Sequence, residues 1–286
     1  MSYTTRTATQ DELNLMMAWA AQEGWNPGLH DAAAFYAADP QGYFLGLLDD
    51  EPMACMSAVA YDARFGFLGF YIVKPEYRNQ GYGLRLWQHA LSHLPTQNIG
   101  LDGVVAQQDN YRKSGFQLAY RNIRYEGVGL GAPASMPVDA HHAPILPLSH
   151  VPFAQLLTYD AAVFPTTRAA FLREWLRQPD SLAVGYLSEG QLRGYGMIRP
   201  CCAGYKIGPL CADQPDIAAA LLGRLRQWAR PDQPVYLDTP ETNRAAVRLA
   251  ESAMMKPIFE TARMYSHENP AMDLRKIYGV TTFELG

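Results

Sequence analysis

The sequence has few features of proteins that bind metals, nucleic acids or membranes. Its four cysteines, at positions 55, 201, 202 and 211, form no CxxC pair and have no histidine partner, unlike a zinc site or a disulfide framework. Lysine and arginine are scattered over a chain of net charge −4. Neither a run of about 18 apolar residues nor a secretion signal occurs. We therefore expect a cytoplasmic protein without metal, nucleic-acid or membrane partners.

The chain is long enough for two domains. Its 286 residues are 48% hydrophobic, which suits two cores of about 140 residues each. Residues 127–147 are rich in Gly, Pro and Ala and lack periodicity, as is typical of a linker. We predict domains at 1–128 and 148–286 with a linker at 129–147. The pair His141-His142 in this linker has no third ligand, so we expect it to be solvated rather than metal-bound.

The first half shows alternating helix and strand signals. Residues 9–12, TQDE, form a capping box before a helix whose apolar face carries Leu13, Met16, Met17 and Ala20. Three short stretches rich in strand-forming residues predict an antiparallel meander between residues 42 and 70. A further helix should end near Pro95, with one apolar stripe made by Leu84, Trp87, Leu91 and Leu94.

The second half repeats the first. SLAVGYL and QLRGYGMI echo the first meander, VYLDT echoes IGLDG, and IFETARMY echoes LAYRNIRY. Asp238 follows Asp102 by 136 positions, and Tyr265 follows Tyr125 by 140. A nearly constant offset over several elements indicates a duplicated domain, and each copy reads as mixed α/β.

The segment FYIVKPEYRNQGYGLRLWQHAL carries the strongest functional signal. An apolar strand leads into a loop with Arg78, Gly81 and Gly83, and this loop opens an amphipathic helix. Glycines allow close approach of a ligand, and the free N–H groups of a helix start attract phosphate. Arg78 could contact the phosphate or brace the loop. The residues alone leave open whether this is a phosphate site or a structural turn, but they match neither a P-loop nor GxGxxG.

This segment resembles the central motif of the GNAT family of N-acetyltransferases, in which Arg or Gln is followed by xxGxG after a strand. RNQGYG at 78–83 matches that motif, and the order of elements agrees over the first half and more weakly over the second. The resemblance implies two tandem GNAT-like α/β domains, acetyl-CoA as co-substrate, and acetyl transfer to a small-molecule or peptide amine. The cofactor-binding residues that it implies are Tyr71, Ile72 and Val73 for the pantetheine arm, and Arg78, Asn79, Gln80, Gly81, Tyr82 and Gly83 for the pyrophosphate.

A second family feature follows at YRKSGF, residues 111–116. The resemblance implies that Tyr111 protonates the departing CoA thiolate, although Tyr111 could also simply anchor its helix. The family commonly has an asparagine about two turns earlier. DGVVAQQ has none here, so Gln107, Gln108 or Asn110 would substitute in cofactor binding.

The second copy departs from the motif. Asp213, Pro215 and Asp216 stand where the phosphate loop would be, which adds negative charge and removes an N–H donor. Ala250 falls near the position of Tyr111, and Met254-Met255 replace Gly115-Phe116. We expect this half to bind no CoA and to close the acceptor site or stabilise the first half.

The acceptor and its base are less defined. A protonated amine must lose a proton before it attacks, and Asp31, Asp62, Asp102 and Glu126 are unranked candidates for the base. The loop at 23–31 combines an aromatic with turn and polar residues, and the resemblance to the GNAT fold implies that this region covers the acceptor, so Trp25, Asn26 and Asp31 are candidates for acceptor binding. A plain turn between helices, capped by Asp31, is the alternative.

Three other functions remain open at this point. The chain could be an acetyl-CoA sensor without turnover, an aminoacyl or peptidyl transferase that uses charged tRNA, or a structural relic. Tyr111 argues against the first, the lack of a basic cluster against the second, and the intact loop of one copy against the third. We expect a monomer or a homodimer.

Overall fold

The computed structural model describes residues 2–95, 97–131 and 144–286. Most of the predicted linker, including His141-His142, lies outside these residues. The strands are β1 (Tyr3–Thr7), β2 (Tyr43–Leu48), β3 (Glu51–Ala60), β4 (Phe65–Val73), β5 (Asn98–Val104), β6 (Gln117–Val128), β7 (Ile145–Pro147), β8 (Leu182–Ser188), β9 (Gln191–Pro200), β10 (Tyr205–Ala212), β11 (Pro234–Pro240), β12 (Lys256–Tyr265) and β13 (Ile277–Gly279). The α-helices are α1 (Glu12–Gln22), α2 (Asp31–Ala38), α3 (Tyr82–Leu91), α4 (Gln108–Lys113), α5 (Phe153–Asp160), α6 (Ala169–Trp175), α7 (Pro215–Trp228) and α8 (Arg244–Ser252).

The described strands form one mixed sheet in the order β1-β2-β3-β4-β5-β12-β6-β11-β10-β9-β8-β7, with β13 paired to β10 outside this path. The two halves exchange strands at its centre. β12 of the second half pairs with β5 and β6 of the first, and β6 of the first half also pairs with β11 of the second. The mixed α/β fold is as predicted, and the exchange joins its halves through one sheet.

Buried ion pairs cross two of the three strand pairs that join the halves. Asp102 of β5 lies opposite Arg263 of β12, and the guanidinium donates to both carboxylate oxygens at 3.1 and 2.6 Å. Asp238 of β11 lies opposite Arg124 of β6, with both donor–acceptor distances at 2.7 Å. Each carboxylate therefore holds an arginine from the other half, in the same way in both copies.

Helix packing also joins the halves. Phe35 of α2 stacks on Trp175 of α6 with ring centroids 6.0 Å apart, and both belong to a core that also includes Met197 of β9. α3 covers the other face of β3 and β4 through Leu86, Trp87 and Ala90. In the second half, α7 and α8 pack a separate core around Leu221 and Ala246.

Most of the element predictions are confirmed. In the capping box, Thr9 N–H donates to Glu12 at 2.9 Å, and Glu12 N–H donates back to the Thr9 hydroxyl. The four apolar positions predicted on α1 are buried, and the meander forms as β2, β3 and β4. The stripe predicted for α3 is wrong at Leu84, which is 58% exposed and lines the cleft described below. This helix ends at Leu91, earlier than predicted.

Candidate active site

A cleft opens where β4 and β5 separate. These parallel strands pair only between Phe65–Leu68 and 98–101, and beyond them lies a cavity of about 630 Å³. A bulge marks the point of separation, because Phe70 and Tyr71 together oppose Met56 of β3, and Phe70 has φ of +49°. The strands are thus split by the local backbone of β4, and the gap extends to the start of α3.

The helix start at the mouth of the cleft presents free amides. Gly81 is the N-cap of α3 with φ of +86°, and among the described residues the N–H groups of 81–84 have no hydrogen-bond partner. Gly83 permits close packing, since a Cβ there would lie 2.6 Å from the Tyr71 hydroxyl and 3.0 Å from Val73 Cγ2. The arrangement suits an anion held by backbone N–H groups.

The predicted cofactor residues fall into two groups. Those that line the cleft are Tyr71, Val73, Arg78, Asn79, Gly81, Gly83 and Asn110. The side chains of the other three face elsewhere: Ile72 is buried in the core, Gln80 donates to the Glu76 carbonyl, and Tyr82 packs on Tyr3. These three could contribute only their backbone.

Arg78 braces the loop. Its Nε donates to the Val73 carbonyl at 2.7 Å, and its guanidinium forms an ion pair with Glu23. The Lys74 N–H bonds to Met53 of β3, and N–H groups alternate in direction along a strand, so we expect the Val73 N–H to face the gap. Arg78 thus fixes the end of β4 that borders the cleft.

Tyr111 lies on the opposite wall, in α4. Its ring stacks on Trp87 at 5.8 Å and lies against Gly103 of β5, where a Cβ would approach Tyr111 Cε2 to 2.3 Å. Burial raises the pKa of Tyr111 to about 12. Its hydroxyl has no hydrogen-bond partner in the described part of the chain. The phenol therefore stays protonated at neutral pH and is able to donate into the cleft.

Of the three residues predicted to substitute for the asparagine of the family, two line the cleft and one does not. Gln107 and Asn110 line the cleft and are joined by a 2.7 Å hydrogen bond from the Asn110 amide. Gln108 is buried and does not line the cleft.

The loop at 23–31 is anchored to the second half. Trp25 lines the cleft, and its carbonyl accepts from Arg124 and Lys206, both at 3.1 Å. Asn26 instead exchanges hydrogen bonds with the backbone of Ala203. Asp31 is buried and pairs with Arg199 at 2.7 and 3.1 Å. Of the three predicted acceptor residues, the structure therefore brings only Trp25 into the cleft.

The candidate bases occupy separate places. Asp102 lines the cleft, but Asn122, Thr261 and Arg263 all donate to its carboxylate. Asp62 and Glu126 lie outside the cleft lining. Although burial opposes ionisation of Asp62, the pKa of this carboxyl is lowered by hydrogen bonds from the Thr166 hydroxyl and the backbone.

Several residues of the cleft were missed by the sequence reasoning, and four of them lie close to the second half. They are Arg124, Phe259, Phe283 and Glu284, and three of them belong to the second half. Arg124 lies 4.8 Å from the Phe283 ring centroid and 5.8 Å from that of Phe259. No local motif marks these residues, because they reach the cleft only through strand exchange and the path of residues 277–286.

The corresponding gap in the second half is filled by the chain itself. β10 and β11 pair in parallel only between 205–207 and 235–237. β13 then pairs antiparallel with β10, and the Thr239 hydroxyl of β11 donates to the Tyr278 carbonyl of β13. In the first half no described strand occupies the matching space, and the cleft is there instead.

The second-half residues that replace the phosphate-loop motif are consistent with a gap that the chain itself fills. Asp213 is engaged by the Tyr159 hydroxyl at 3.1 Å and by Lys276 at 2.9 Å, and Pro215 begins α7. Met254 has φ of +59°, in the left-handed region like Gly115 at +92°. At this position the two copies thus share a left-handed backbone while their side chains differ.

Comparisons with known proteins agree with this duplicated architecture. Residues 11–116 match the model of the Acetyltransferase (GNAT) family, and residues 156–279 match that of an Acetyltransferase (GNAT) domain. The chain belongs to the GNAT family. Its fold is a tandem of two GNAT domains, and the protein is a GNAT-type acyltransferase, as the resemblance implied.

The similarity to individual relatives covers nearly the whole chain. The holothin acyltransferase of Pseudoalteromonas sp. (strain SANK 73390) is 29% identical over 285 residues, which cover 100% of this chain and 95% of that protein. A putative acetyltransferase from Pyrococcus horikoshii has a TM-score of 0.82 at 22% identity, with 99% and 96% coverage. A tandem GNAT protein from the clavulanic acid biosynthesis pathway has a TM-score of 0.63 at 11% identity, with 94% and 100% coverage.

Metal-ligand clusters and membrane-spanning helices are both absent from the described residues. These residues hold no group of three or more His, Cys, Asp or Glu side chains that could bind a metal ion. Within the same ranges, no helix is long and apolar enough to cross a membrane.

Proposed function

We propose that the first GNAT domain binds acetyl-CoA and transfers its acetyl group to an amine by direct attack, while the second domain completes the acceptor side. The observation that carries this proposal is the single cleft that joins the free amides of 81–84 to the hydroxyl of Tyr111. The amides would bind the pyrophosphate, and the split end of β4 would pair with the pantetheine arm.

The reaction would need few groups from the protein. The amine nitrogen attacks the thioester carbon, the tetrahedral intermediate collapses, and the CoA sulfur leaves as a thiolate. Tyr111 would protonate this thiolate, and its pKa of about 12 keeps the proton available at neutral pH. A positioned general acid contributes typically about 10²–10⁴-fold in rate.

The acceptor side supports a small apolar amine. Trp25, Phe259 and Phe283 line this part of the cleft. The full-length relative named holothin acyltransferase favours a small-molecule acceptor over a peptide or a charged tRNA.

The test is calorimetric titration of acetyl-CoA into wild type, Gly81→Asp and Gly81→Asn. Position 81 is open, with nothing within 4 Å of an added Cβ, and Asn and Asp both tolerate positive φ. Asp adds a negative charge facing the pyrophosphate, so we expect at least a tenfold weaker affinity, a difference of about 1.4 kcal/mol. Asn should change the affinity much less.

Gly190→Asp is the matched control, because Gly190 has φ of +71° and open space in the second half. We expect its acetyl-CoA affinity to equal that of wild type. Absence of acetyl-CoA binding by folded wild type would overturn the proposal, and equal weakening by all three substitutions would place the ligand elsewhere.

A further inference from the structure

Residues 277–286 connect the filled gap of the second half to the open cleft of the first. All ten are buried, although they follow the last long strand of the sheet. β13 begins this segment, and Glu284 near its other end lines the cleft that Tyr111 also lines. The second half therefore sends a carboxylate into the candidate active site.

The backbone of this segment touches β4 where that strand parts from β5. A Cβ at Gly69 would lie 2.2 Å from the Glu284 carbonyl oxygen. Gly69 directly follows Leu68, the last residue of β4 that pairs with β5. Glu284 is thus held beside the bulged end of β4, against which the thioester would lie.

The carboxylate of Glu284 has bonding capacity left. Its Oε2 accepts from the Thr282 hydroxyl, whereas Oε1 has no partner among the described residues. The other two carboxylates of the cleft are engaged by arginine, Asp102 by Arg263 and Glu23 by Arg78. Glu284 has no ion pair with any described residue.

The charged groups around Glu284 come from three strands. Arg124 of β6 is bonded to Asp238 of β11, and Lys206 of β10 donates to the Trp25 carbonyl. Burial opposes the charge of Arg124, but Asp238 and Glu284 leave its pKa raised, whereas burial lowers the pKa of Lys206 and Glu284 only partly offsets this. The carboxylate of Glu284 thus lies close enough to interact with both cations. Because neither cation forms an ion pair with Glu284, its Oε1 remains available to a cationic or N–H group in the cleft.

We propose that Glu284 accepts the proton of the acceptor amine, so that the second domain supplies a catalytic residue to the first. This inference rests on the proposed function. The amine enters in its neutral form, after the ammonium has lost a proton to solvent. As the N–C bond forms and the C–S bond breaks, Glu284 takes one proton from nitrogen and Tyr111 gives one proton to sulfur. The products are an amide and CoA thiol, and solvent returns both side chains to their starting protonation states.

The test compares Glu284→Gln with wild type, using benzylamine and water as acceptors. Gln keeps the shape and can still accept from Thr282, but it cannot take up the proton. We expect acetyl-CoA affinity within about twofold of wild type, and release of CoA thiol slowed about 10²-fold with either acceptor.

The pH profile separates a catalytic from a structural role. With water as acceptor the nucleophile does not titrate, so protonation of Glu284 should make the wild-type rate fall as the pH is lowered. The Gln variant should lack this decrease. Glu126→Gln, at a carboxylate outside the cleft, should retain both the wild-type rate and its pH profile.

A second variant, Glu284→Ala, distinguishes loss of the proton acceptor from a folding defect. In Glu284→Ala the side chain is removed, and added formate should restore part of the thiol release if only a proton acceptor is missing. Wild-type rate and pH profile in folded Glu284→Gln, or failure of formate to restore any rate in a folded Ala variant, would overturn the inference. Absence of acetyl-CoA binding, or of thiol release with both acceptors, in wild type would instead overturn the proposed function.

Discussion

At the scale of single residues, the environment of Tyr111 predicts a donor rather than a base. Its ring is fixed by Trp87 and Gly103, and its raised pKa means that the proton is held until well above neutral pH. We expect Tyr111→Phe to lower kcat by about 10²–10⁴-fold with little change in acetyl-CoA affinity. Steady-state kinetics and calorimetry measure the two quantities.

The raised pKa of Tyr111 also predicts how activity depends on pH. A group whose pKa is raised to about 12 stays protonated below that value, so Tyr111 should cause no loss of activity up to about pH 10. An alkaline decrease near pH 8 in wild type that disappears in Tyr111→Phe would contradict this interpretation.

The contacts of Asp31 predict a structural role for this residue. It is buried against Arg199, and Gln178 and the Gly28 N–H also donate to it. Asp31→Asn leaves the Arg199 charge without its partner, so we expect the free energy of unfolding to fall by about 3–5 kcal/mol. Urea unfolding measures this loss, and kcat/KM of the folded fraction should stay unchanged.

Asp180→Asn is the control for this pair, since Asp180 is 83% exposed and lies 3.9 Å from His30. Exposed pairs contribute about 0–1 kcal/mol, so the free energy of unfolding should hardly change. A large loss of kcat/KM in Asp31→Asn at wild-type stability would return Asp31 to the acceptor site.

At the scale of elements, the contact between β4 and residues 277–286 depends on Gly69. In Gly69→Ala the new Cβ would collide with backbone of Glu284, so the segment must move. We expect acetyl-CoA binding to persist and turnover to fall by about 10²-fold, because a displacement near 1 Å can cost that much. Calorimetry and thiol release provide the measurements.

Gly223→Ala is the matched control for that substitution. Gly223 lies in α7 with nothing within 4 Å of an added Cβ, so the change should stabilise the helix by up to about 1 kcal/mol and leave turnover unchanged. Turnover equal to wild type in Gly69→Ala would show that the position of Glu284 is not limiting.

The elements that could be predicted are those defined by neighbouring residues. The capping box, the meander and the glycine loop each depend on residues close in sequence, and the structure contains all three. The prediction for Leu84 is wrong because an exposed apolar residue at the edge of a cleft has the same periodicity as a core residue. β13 could not be predicted as the strand that fills the second gap, since its pairing partner is far away in sequence.

At the scale of the whole molecule, strand exchange predicts one cooperative unfolding transition. The central strands alternate between the halves, so neither half keeps its sheet when the other unfolds. We expect Leu221→Ala, in the core of the second half, to cost about 2–5 kcal/mol. It should lower the midpoint for circular dichroism and for loss of acetyl-CoA binding together.

Independent domains would behave differently. Two calorimetric transitions, or loss of ellipticity from the second half at a temperature where acetyl-CoA binding persists, would contradict the single transition. Ile258→Ala, at an exposed position of β12, should leave the midpoint nearly unchanged and serves as the control.

The duplication could be predicted from the sequence, but the exchange could not. The repeat of Asp102 at Asp238 and of Tyr125 at Tyr265 appears in the sequence as a nearly constant offset. The alternation of apolar and polar residues along a strand, however, does not reveal which neighbouring strand it pairs with. For the same reason Glu284 and Phe259 were absent from the predicted site, while the loop at 78–83 was present in it.

The exchanged strands also impose an order on synthesis. β6 leaves the ribosome well before β11 and β12, its two neighbours in the finished sheet. At about 5–20 residues per second, the nascent first half waits on the order of ten seconds with one edge of β5 free and β6 without either of its sheet neighbours. Unpaired strands are templates for aggregation, so this interval is when a chaperone would be needed most. The part of the chain that carries the glycine loop is made first, yet the lining of its cleft is complete only after residues 277–286 have been translated.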